Sequence, residues 1–561
     1  MKDLMLVLRS LCRWTVSAEL CCFLLATAAA YAADQPQWGQ AGSRNMVSNE
    51  VGLPDGFDPS TGRNVQWSVP LGTECYATPM VAGGKVLIGT NNGAPRDPRH
   101  QGDRGVLLCL NEADGSLAWQ LVVPKLSEDI YLDWPEVGMC SPPTVEGDRV
   151  YTITNRDEVV CLDLNGMANG NDGPFRDEGR HMSLPGQPPM KVGPTDADII
   201  WLLDLPMAAG VHPHDESHCS ILLDGRYLYV NTSNGLNNKH SAMVAPEAPS
   251  LVAVDKVSGR LLAREREGIG RGTVHGTWAS PALGELAGRR LVFFGGGDGV
   301  CYAFDALSDA TPRPGTGSGH RPKVGRGPGQ GADQRLGTPK GDRLHERLPS
   351  LHCVWRFDCD PTAPKEHRQR YMGNRRVSAS NIKAMPVFYD GRLYVTVGGD
   401  IWWGKNQAWV QCIDASRTGD ITPTGLVWSC PLERHCCSTP SICDGLLYVA
   451  DCGGKVRCLD ARTGQPYWVH DARGEIWTST LVADGKVYIG TRKGDFWVLA
   501  AGKQKRVLSS IRLPDPVQST VVAANGTLYV GTMTRLYALR AGAHGRLTPS
   551  AAPPAGHRDR P

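Results

Sequence analysis

The chain has 561 residues, 41% of them hydrophobic, and a formal net charge of +2. That length allows a sizeable core, and so even a charge gives no electrostatic hint of a nucleic-acid or acidic partner. Eighteen cysteines invite disulfides if the chain is exported, but no Cys-x-x-Cys-His is present to carry covalent haem.

The N-terminus has the pattern of an export signal. Lys2, Arg9 and Arg13 precede an apolar run at 20–30, and Ala30-Tyr31-Ala32 fits a signal-peptidase site. Residues 1–32 are therefore expected to be removed, leaving a periplasmic or extracellular protein without a transmembrane span. The apolar run is shorter than the ~20 residues a membrane-spanning helix needs. Leu20 stands where a lipidated Cys21 would need a small residue, so lipid anchoring is not expected. Residues 33–63 form a lead-in.

From there one pattern recurs eight times: a Gly, an alternating apolar strand and a small residue. The copies are GGKVLIGT (83–90), GDRVYTIT (147–154), GRYLYVNT (225–232) and GRRLVFFGG (288–296). Four more follow: GRLYVTVGG (391–399), GLLYVADCGG (445–454), GKVYIGT (485–491) and GTLYVGT (526–532). The last three are spaced about 40 residues apart, the period of a four-stranded propeller blade. In blade 1 the spacing predicts strands at 77–82, 85–90, 106–111 and 117–123. In blade 6 it predicts strands at 438–443, 446–452 and 455–460, then an outer strand carrying Trp468. Each is short, with period-two alternation and Gly, Asp or Asn at its ends.

A second register runs through the third and fourth strands: a small residue, an acid or amide, a Gly, then a Trp. Blade 6 has Cys458, Asp460, Gly464 and Trp468, and blade 1 has Cys109, Asn111, Gly115 and Trp119. Blades 2, 4 and 5 carry Cys161, Ala303 and Cys412 with later Trp201, Trp355 and Trp428. Blade 3 has Ala253 but Ala263 in place of Trp. A Trp lying between blades needs small neighbours, so Cys109, Cys161, Cys412 and Cys458 are expected to be free, buried thiols.

In this register the chain resembles the pyrroloquinoline-quinone (PQQ) repeat propellers: the quinoprotein alcohol dehydrogenases and the BamB-type outer-membrane assembly propellers. The resemblance covers residues 64–540 and implies an all-β, eight-bladed propeller. A narrower resemblance, on LNGMANGNDGPF (164–175), HGTWASP (275–281) and ARGEIWTST (472–480), is to exported bacterial PQQ-like proteins.

The last repeat supplies only three strands, while an orphan strand at 65–69 bears Trp67. That strand is expected to complete blade 8, close the ring as a monomer and remove two exposed edges. An insertion at 307–350, rich in Gly, Pro and Arg, is expected to be disordered, as is the tail 541–561.

The second-to-third-strand loops and the blade-to-blade links share one face. Aligning the blades on their turn Gly places Tyr76, Met139, Ser217, Trp278, Lys383, Cys437, Trp477 and Gln518 around the channel mouth. His218, His275 and Cys436 are expected to flank it. A concave, partly aromatic mouth is where a ligand would bind.

Three motifs could carry chemistry there or nearby. Cys436-Cys437 matches the adjacent-cysteine ring that, in the quinoprotein dehydrogenases, covers PQQ opposite a Trp beside Ca²⁺; the dehydrogenases' calcium ligands and catalytic Asp have no match here. The run His212-Pro213-His214-Asp215-Glu216-Ser217-His218-Cys219, with His240 and His275, has ligands suited to zinc or copper. Asp163, Asn165, Asn169, Asn171, Asp172, Asp177 and Glu178 crowd a Gly-rich loop with oxygen donors, or simply build turns.

Two functions remain from different classes. One is a binding scaffold in the cell envelope, holding a protein, peptide or glycan. The other is a PQQ- and Ca²⁺-dependent oxidoreductase acting on an alcohol or sugar. The unmatched calcium and base residues favour the scaffold, which needs no catalysis.

Overall fold

The repeat becomes eight four-stranded sheets arranged as an eight-bladed β-propeller. This computed structural model describes residues 33–126, 132–308 and 347–545. The expected signal segment, most of the 307–350 insertion and the end of the tail lie outside the described residues.

The inner strands are shorter than the pattern predicts. Blade 1 begins at Met80–Ala82 and blade 6 at Ser441–Cys443. Proline contributes in five blades, although the inner strands of blades 3, 7 and 8 are as short without one. Pro79, Pro143, Pro281, Pro386 and Pro440 stand immediately before the inner strands of blades 1, 2, 4, 5 and 6, where each removes a ladder donor. The chain above each proline therefore leaves the sheet and becomes free to line the channel. Blade 5 shows the same break, with Ser380–Asn381 and Val387–Tyr389 pairing separately with Arg392–Gly399.

Between blades the Trp register works as packing and as hydrogen bonding. Cys109 pairs with Trp119, Cys161 with Trp201, Ala303 with Trp355, Cys412 with Trp428 and Cys458 with Trp468. Each indole Nε1 then donates to a carbonyl of the following blade. Trp119 reaches Leu164 at 2.8 Å, Trp201 reaches Lys256 at 3.0 Å and Trp428 reaches Ala461 at 3.1 Å. The repeat Gly is the seat for the neighbour's ring: a Cβ on Gly464 would lie 2.5 Å from Trp428. Blade 3, with Ala263 opposite Ala253, is packed instead by Phe294 and Phe304 from blade 4. The cysteines of the register are free and buried, and all fifteen described cysteines are free thiols.

Closure follows the expected latch. Arg63–Pro70 pairs antiparallel with Arg535–His544, placing Trp67 opposite Ala538. Trp67 Nε1 donates to Glu112 of blade 1 at 2.8 Å, so the last blade gains the same register as the others. The closing strand runs past residue 539, to His544.

The lead-in has a role that its sequence does not announce. Residues 35–48 cross the foot of the channel and visit the inner strands in blade order. Gln35 exchanges backbone bonds with Val81 of blade 1, and the Pro36 carbonyl accepts from Val145 of blade 2 at 2.8 Å. Gln37 Nε2 donates to Ile221 of blade 3, and Gly42 accepts from Leu283 of blade 4. Ser43 accepts from Phe388 of blade 5, and Asn45 exchanges two bonds with Ile442 of blade 6. Met46 and Ser48 bracket Val482 of blade 7, and the Ser48 hydroxyl reaches Ala523 of blade 8. Inner strands expose a row of backbone groups to the channel, and this segment satisfies them.

Arg44 anchors the centre and is fully buried. Its guanidinium donates to the carbonyls of Pro281, Ser220 and Trp38 and to the Ser220 hydroxyl, at 2.8–3.1 Å. Burial lowers its pKa to about 10. The channel thus has a floor made of this segment's backbone and a few of its polar side chains.

Candidate functional site

The opposite end of the channel is built from side chains carried by links and loops. Asp400 opens the loop between the second and third strands of blade 5. Its Oδ1 accepts the backbone N–H of Trp402 at 3.0 Å and of Trp403 at 3.2 Å, an Asx-type turn that projects two indoles together. Its Oδ2 accepts from Asn381 at 3.1 Å and lies 3.0 Å from Lys383 Nζ and 3.3 Å from His275 Nδ1. Burial pushes this carboxyl up, but Lys383 and His275 outweigh it and hold it well below the usual range.

Trp402 fills the mouth. Its ring lies 5.5 Å from Trp278, which enters blade 4, and 5.9 Å from Trp477, which enters blade 7. It therefore bridges nearly opposite sides of the channel. Lys383 Nζ sits 3.7 Å over the Trp278 ring and 5.1 Å from Trp402, a cation–π contact strengthened by desolvation. Arg492 covers Trp477 at 4.1 Å and pairs with Glu475 at 2.9 Å.

Beside this lies a histidine cluster. The ring centroids of His214 and His240 are 4.8 Å apart, as are those of His214 and His275. His214 Nε2 is 3.0 Å from His240 Nε2, and Asp215 Oδ2 is 3.1 Å from His275 Nε2. Burial pushes His214 down to about 3, against the pull of Asp215. Burial also lowers His275, yet Asp400 and Asp215 reverse this and leave it raised. The link that carries these residues is strained: Asp215 and Glu216 have φ of 56° and 72°, uncommon for residues other than Gly. The kink sends neighbours in different directions. Asp215 meets His275, whereas Glu216 turns to Lys125 at 2.6 Å. His218 Nε2 contacts the Asp215 carbonyl at 3.2 Å, and its ring meets the Trp278 edge at 5.7 Å.

The two adjacent cysteines part. Cys436 is buried, its Sγ directed at the Ala450 and Ser438 carbonyls of its own blade. Cys437 instead meets Cys452. A hydrogen bond from Cys452 lowers the Cys437 pKa and Lys383 adds to this against burial, while burial pushes Cys452 well up. The close thiol pair is therefore Cys437–Cys452.

Of the residues marked from sequence, His218, His275, Trp278, Lys383 and Trp477 meet in one cluster around Trp402 and Asp400. Cys437 lies within the field of Lys383. Tyr76 stands on the rim, donating to Glu74 at 3.1 Å, and feels Arg492. Cys436 faces away. Sequence reasoning missed Asp400, Trp402, Trp403 and Cys452. The signal for the first three was the paired Trp inside a Gly-flanked insertion at 398–404.

The residues present do not fit PQQ. The two adjacent thiols point apart, and the space between Trp278 and Trp477 is taken by Trp402. The oxygen-rich loop of blade 2 is occupied by its own chain: Asp163 pairs with Arg149 at 2.6 Å, Asn165 N–H donates to Asp163, and Asp198 accepts the Asp172 N–H.

Comparison with known proteins agrees with the blade architecture. The family described as outer membrane protein assembly factor BamB matches residues 406–552. The chain is 30% identical over 108 residues to quinohemoprotein alcohol dehydrogenase of Comamonas testosteroni, a match covering 17% of this chain and 15% of that protein. It is 33% identical over 110 residues to 1-butanol dehydrogenase (cytochrome c) of Thauera butanivorans, covering 16% of each. The match thus spans about a sixth of the length of these curated relatives. Among solved structures, BamB from Moraxella catarrhalis aligns at 14% identity with a TM-score of 0.47, covering 86% of this chain and 98% of that one. The computationally designed Ika8 protein aligns at 10% identity with a TM-score of 0.45, covering 85% and 99%. With its eight blades and Trp register, this chain is a PQQ-repeat β-propeller.

Proposed function

We propose that the protein is an exported binding propeller of the cell envelope, and that a partner protein, peptide or glycan engages the channel mouth. The observation that carries this reading is Trp402, wedged between Trp278 and Trp477 where a planar cofactor would lie. A mouth filled by its own indoles, over a floor sealed by residues 35–48, offers a surface to a partner and no slot to a quinone. Trp477, Arg492, Glu475 and Tyr76 supply a rim that is aromatic and charged together, the composition of binding hot spots.

Export is supported from an independent direction. The Ala33 N–H donates to Glu50 Oε1 at 2.8 Å, and Glu50 is buried. Cleavage after Ala32 would leave an ammonium at that position and make the bond charge-assisted.

The test uses a photo-crosslinking residue at position 477 in cells, with Val257, exposed on the opposite face, as the control. Discrete adducts at 477 and none at 257 are expected; the reverse pattern would move function to the other face. N-terminal sequencing of the exported protein should begin near Ala33. Stoichiometric uptake of PQQ with Ca²⁺, read by absorbance, would instead establish the oxidoreductase reading.

A further inference from the structure

The geometry points to a transition-metal site at the mouth, in which His214 Nε2, His240 Nε2, His275 Nε2 and Asp215 Oδ2 bind one divalent ion of the zinc or copper type. It stands on its own contacts and survives if the partner-binding reading fails.

The ligand set comes from three separate segments that only the ring brings together. His214 and Asp215 lie on the link into blade 3, His240 on the loop after the second strand of that blade, and His275 on the link into blade 4. One ligand atom from each of the three histidines lies within 4.8 Å of the other two. Metal–nitrogen bonds of about 2.0–2.1 Å place tetrahedral ligands roughly 3.4 Å apart. The separations here bracket that value: 3.0 Å from His214 to His240, 3.1 Å from Asp215 to His275 and 3.7 Å from Asp215 to His214. For these three pairs, closing on an ion asks for movements of a few tenths of an ångström; histidine nitrogens further apart, within the 4.8 Å that bounds the group, would have to move more.

A second feature is independent of the cluster itself. His275 is fully buried and directs Nδ1 to the Asp400 carboxylate, leaving Nε2 toward Asp215. A carboxylate holding the far nitrogen of a histidine is the usual support for a metal-bound imidazole, because it sets both tautomer and ring orientation. Asp400 is itself held by Asn381, Lys383 and two backbone N–H groups. Asp215 Oδ1 is buried without a hydrogen-bond partner among the described residues. Two of the four ligands also hold left-handed backbone, with φ of 56° at Asp215 and 52° at His240. Strain of this kind persists where a constellation is held for use.

The site has a way in. His240 is half-buried and borders an open basin of about 580 Å³, shared with Lys239, Ser241, Arg370 and Trp403. The other two histidines are buried behind it. Three imidazoles and one carboxylate suit zinc and copper, and calcium or magnesium poorly, since those favour oxygen throughout. A rival site exists nearby: His435, Cys452 and Glu475 also lie within 4.8 Å of one another, with Cys437 beside Cys452. Thiolate ligation is what separates the two by experiment.

The test uses the processed full chain, prepared without a histidine tag and titrated with Co²⁺ and then Zn²⁺. A single Co²⁺ per chain is expected, with visible d–d bands, no thiolate-to-cobalt charge-transfer band, and displacement by Zn²⁺. His240→Gln, at the exposed edge, should weaken Zn²⁺ binding at least tenfold without moving the melting curve. Asp400→Asn should weaken it about 10- to 100-fold, and His435→Gln should leave it unchanged. A charge-transfer band, or loss of the ion in His435→Gln with retention in His240→Gln, would assign the metal to the cysteine set and overturn the proposal. So would failure of the folded protein to take up either ion.

Discussion

The two ends of the channel are closed in opposite ways. At the floor, one segment meets every inner strand through backbone groups and the side chains of Gln37, Asn45 and Ser48, and its one charge, Arg44, is hydrogen-bonded by carbonyls rather than paired with acids. At the mouth, closure is made by indoles, imidazoles and a carboxylate on loops, with left-handed backbone at Asp215, Glu216 and His240. The floor resembles a sheet edge being paired. The mouth resembles a site being held. The difference teaches where stability and function part in a ring: left-handed backbone occurs at both ends, with φ of 61° at Arg44 too, but at the floor it serves hydrogen bonds to carbonyls, whereas at the mouth it gathers titratable side chains around one space.

Four changes would break or sharpen that contrast. The largest effect belongs to the floor. Arg44→Met strands the buried Ser220, Pro281 and Trp38 carbonyls, and should cost about 4 kcal/mol or more. Denaturant midpoints measure this, and a loss under about 1 kcal/mol would deny the floor its structural role.

Next comes the latch. Trp67→Ala removes a buried indole and its bond to Glu112, at a cost of about 3–5 kcal/mol. Deleting residues through 69 should add aggregation through the unpaired edges of blade 8. A truncated chain that stays monomeric, with an unchanged melting curve, would refute closure by this strand.

Acid should loosen the mouth before the floor. Asp360 pairs with Lys405, at the end of the loop bearing Trp402, and accepts from Ser380 at 2.6 Å. Burial raises its pKa, but Lys405 and Ser380 win and lower it. A carboxyl lowered on folding contributes its stability fully above the unfolded value of about 3.9, and that contribution is lost as pH falls through the folded value. Near-ultraviolet circular dichroism from the Trp cluster should therefore fade below about pH 4 before the far-ultraviolet strand signal. Asp360→Asn should remove that early phase; coincident transitions in both variants would count against it.

The smallest stability effect should come from Trp477→Ala, which removes a rim residue. A change within about 1–2 kcal/mol together with lost partner crosslinking would separate function from folding at the mouth. A large loss of stability would make the mouth structural as well.

Much of this molecule was legible in its sequence because propeller blades are local. The turn Gly, the alternating strands and the Trp register all lie within a span of about 40 residues, and each repeat must present the same faces to identical neighbours. The orphan strand with Trp67 was legible for the same reason, since seven blades were complete and one lacked a partner. Alignment of the repeats was enough to mark Trp278, Lys383 and Trp477, which meet around Trp402. What the sequence left open depends on contacts across the channel, which no repeat encodes. The floor is a single traverse of eight different strands, so it has no period to detect. Trp402 reaches the axis only because the Asp400 turn projects it there. Cys437 chose Cys452 over Cys436 because successive residues of an extended chain point to opposite sides. The histidines at 214, 240 and 275 meet only when blades 3 and 4 stand side by side, and it is that closure of the ring, together with a strained link at Asp215, that turned scattered polar residues into one site.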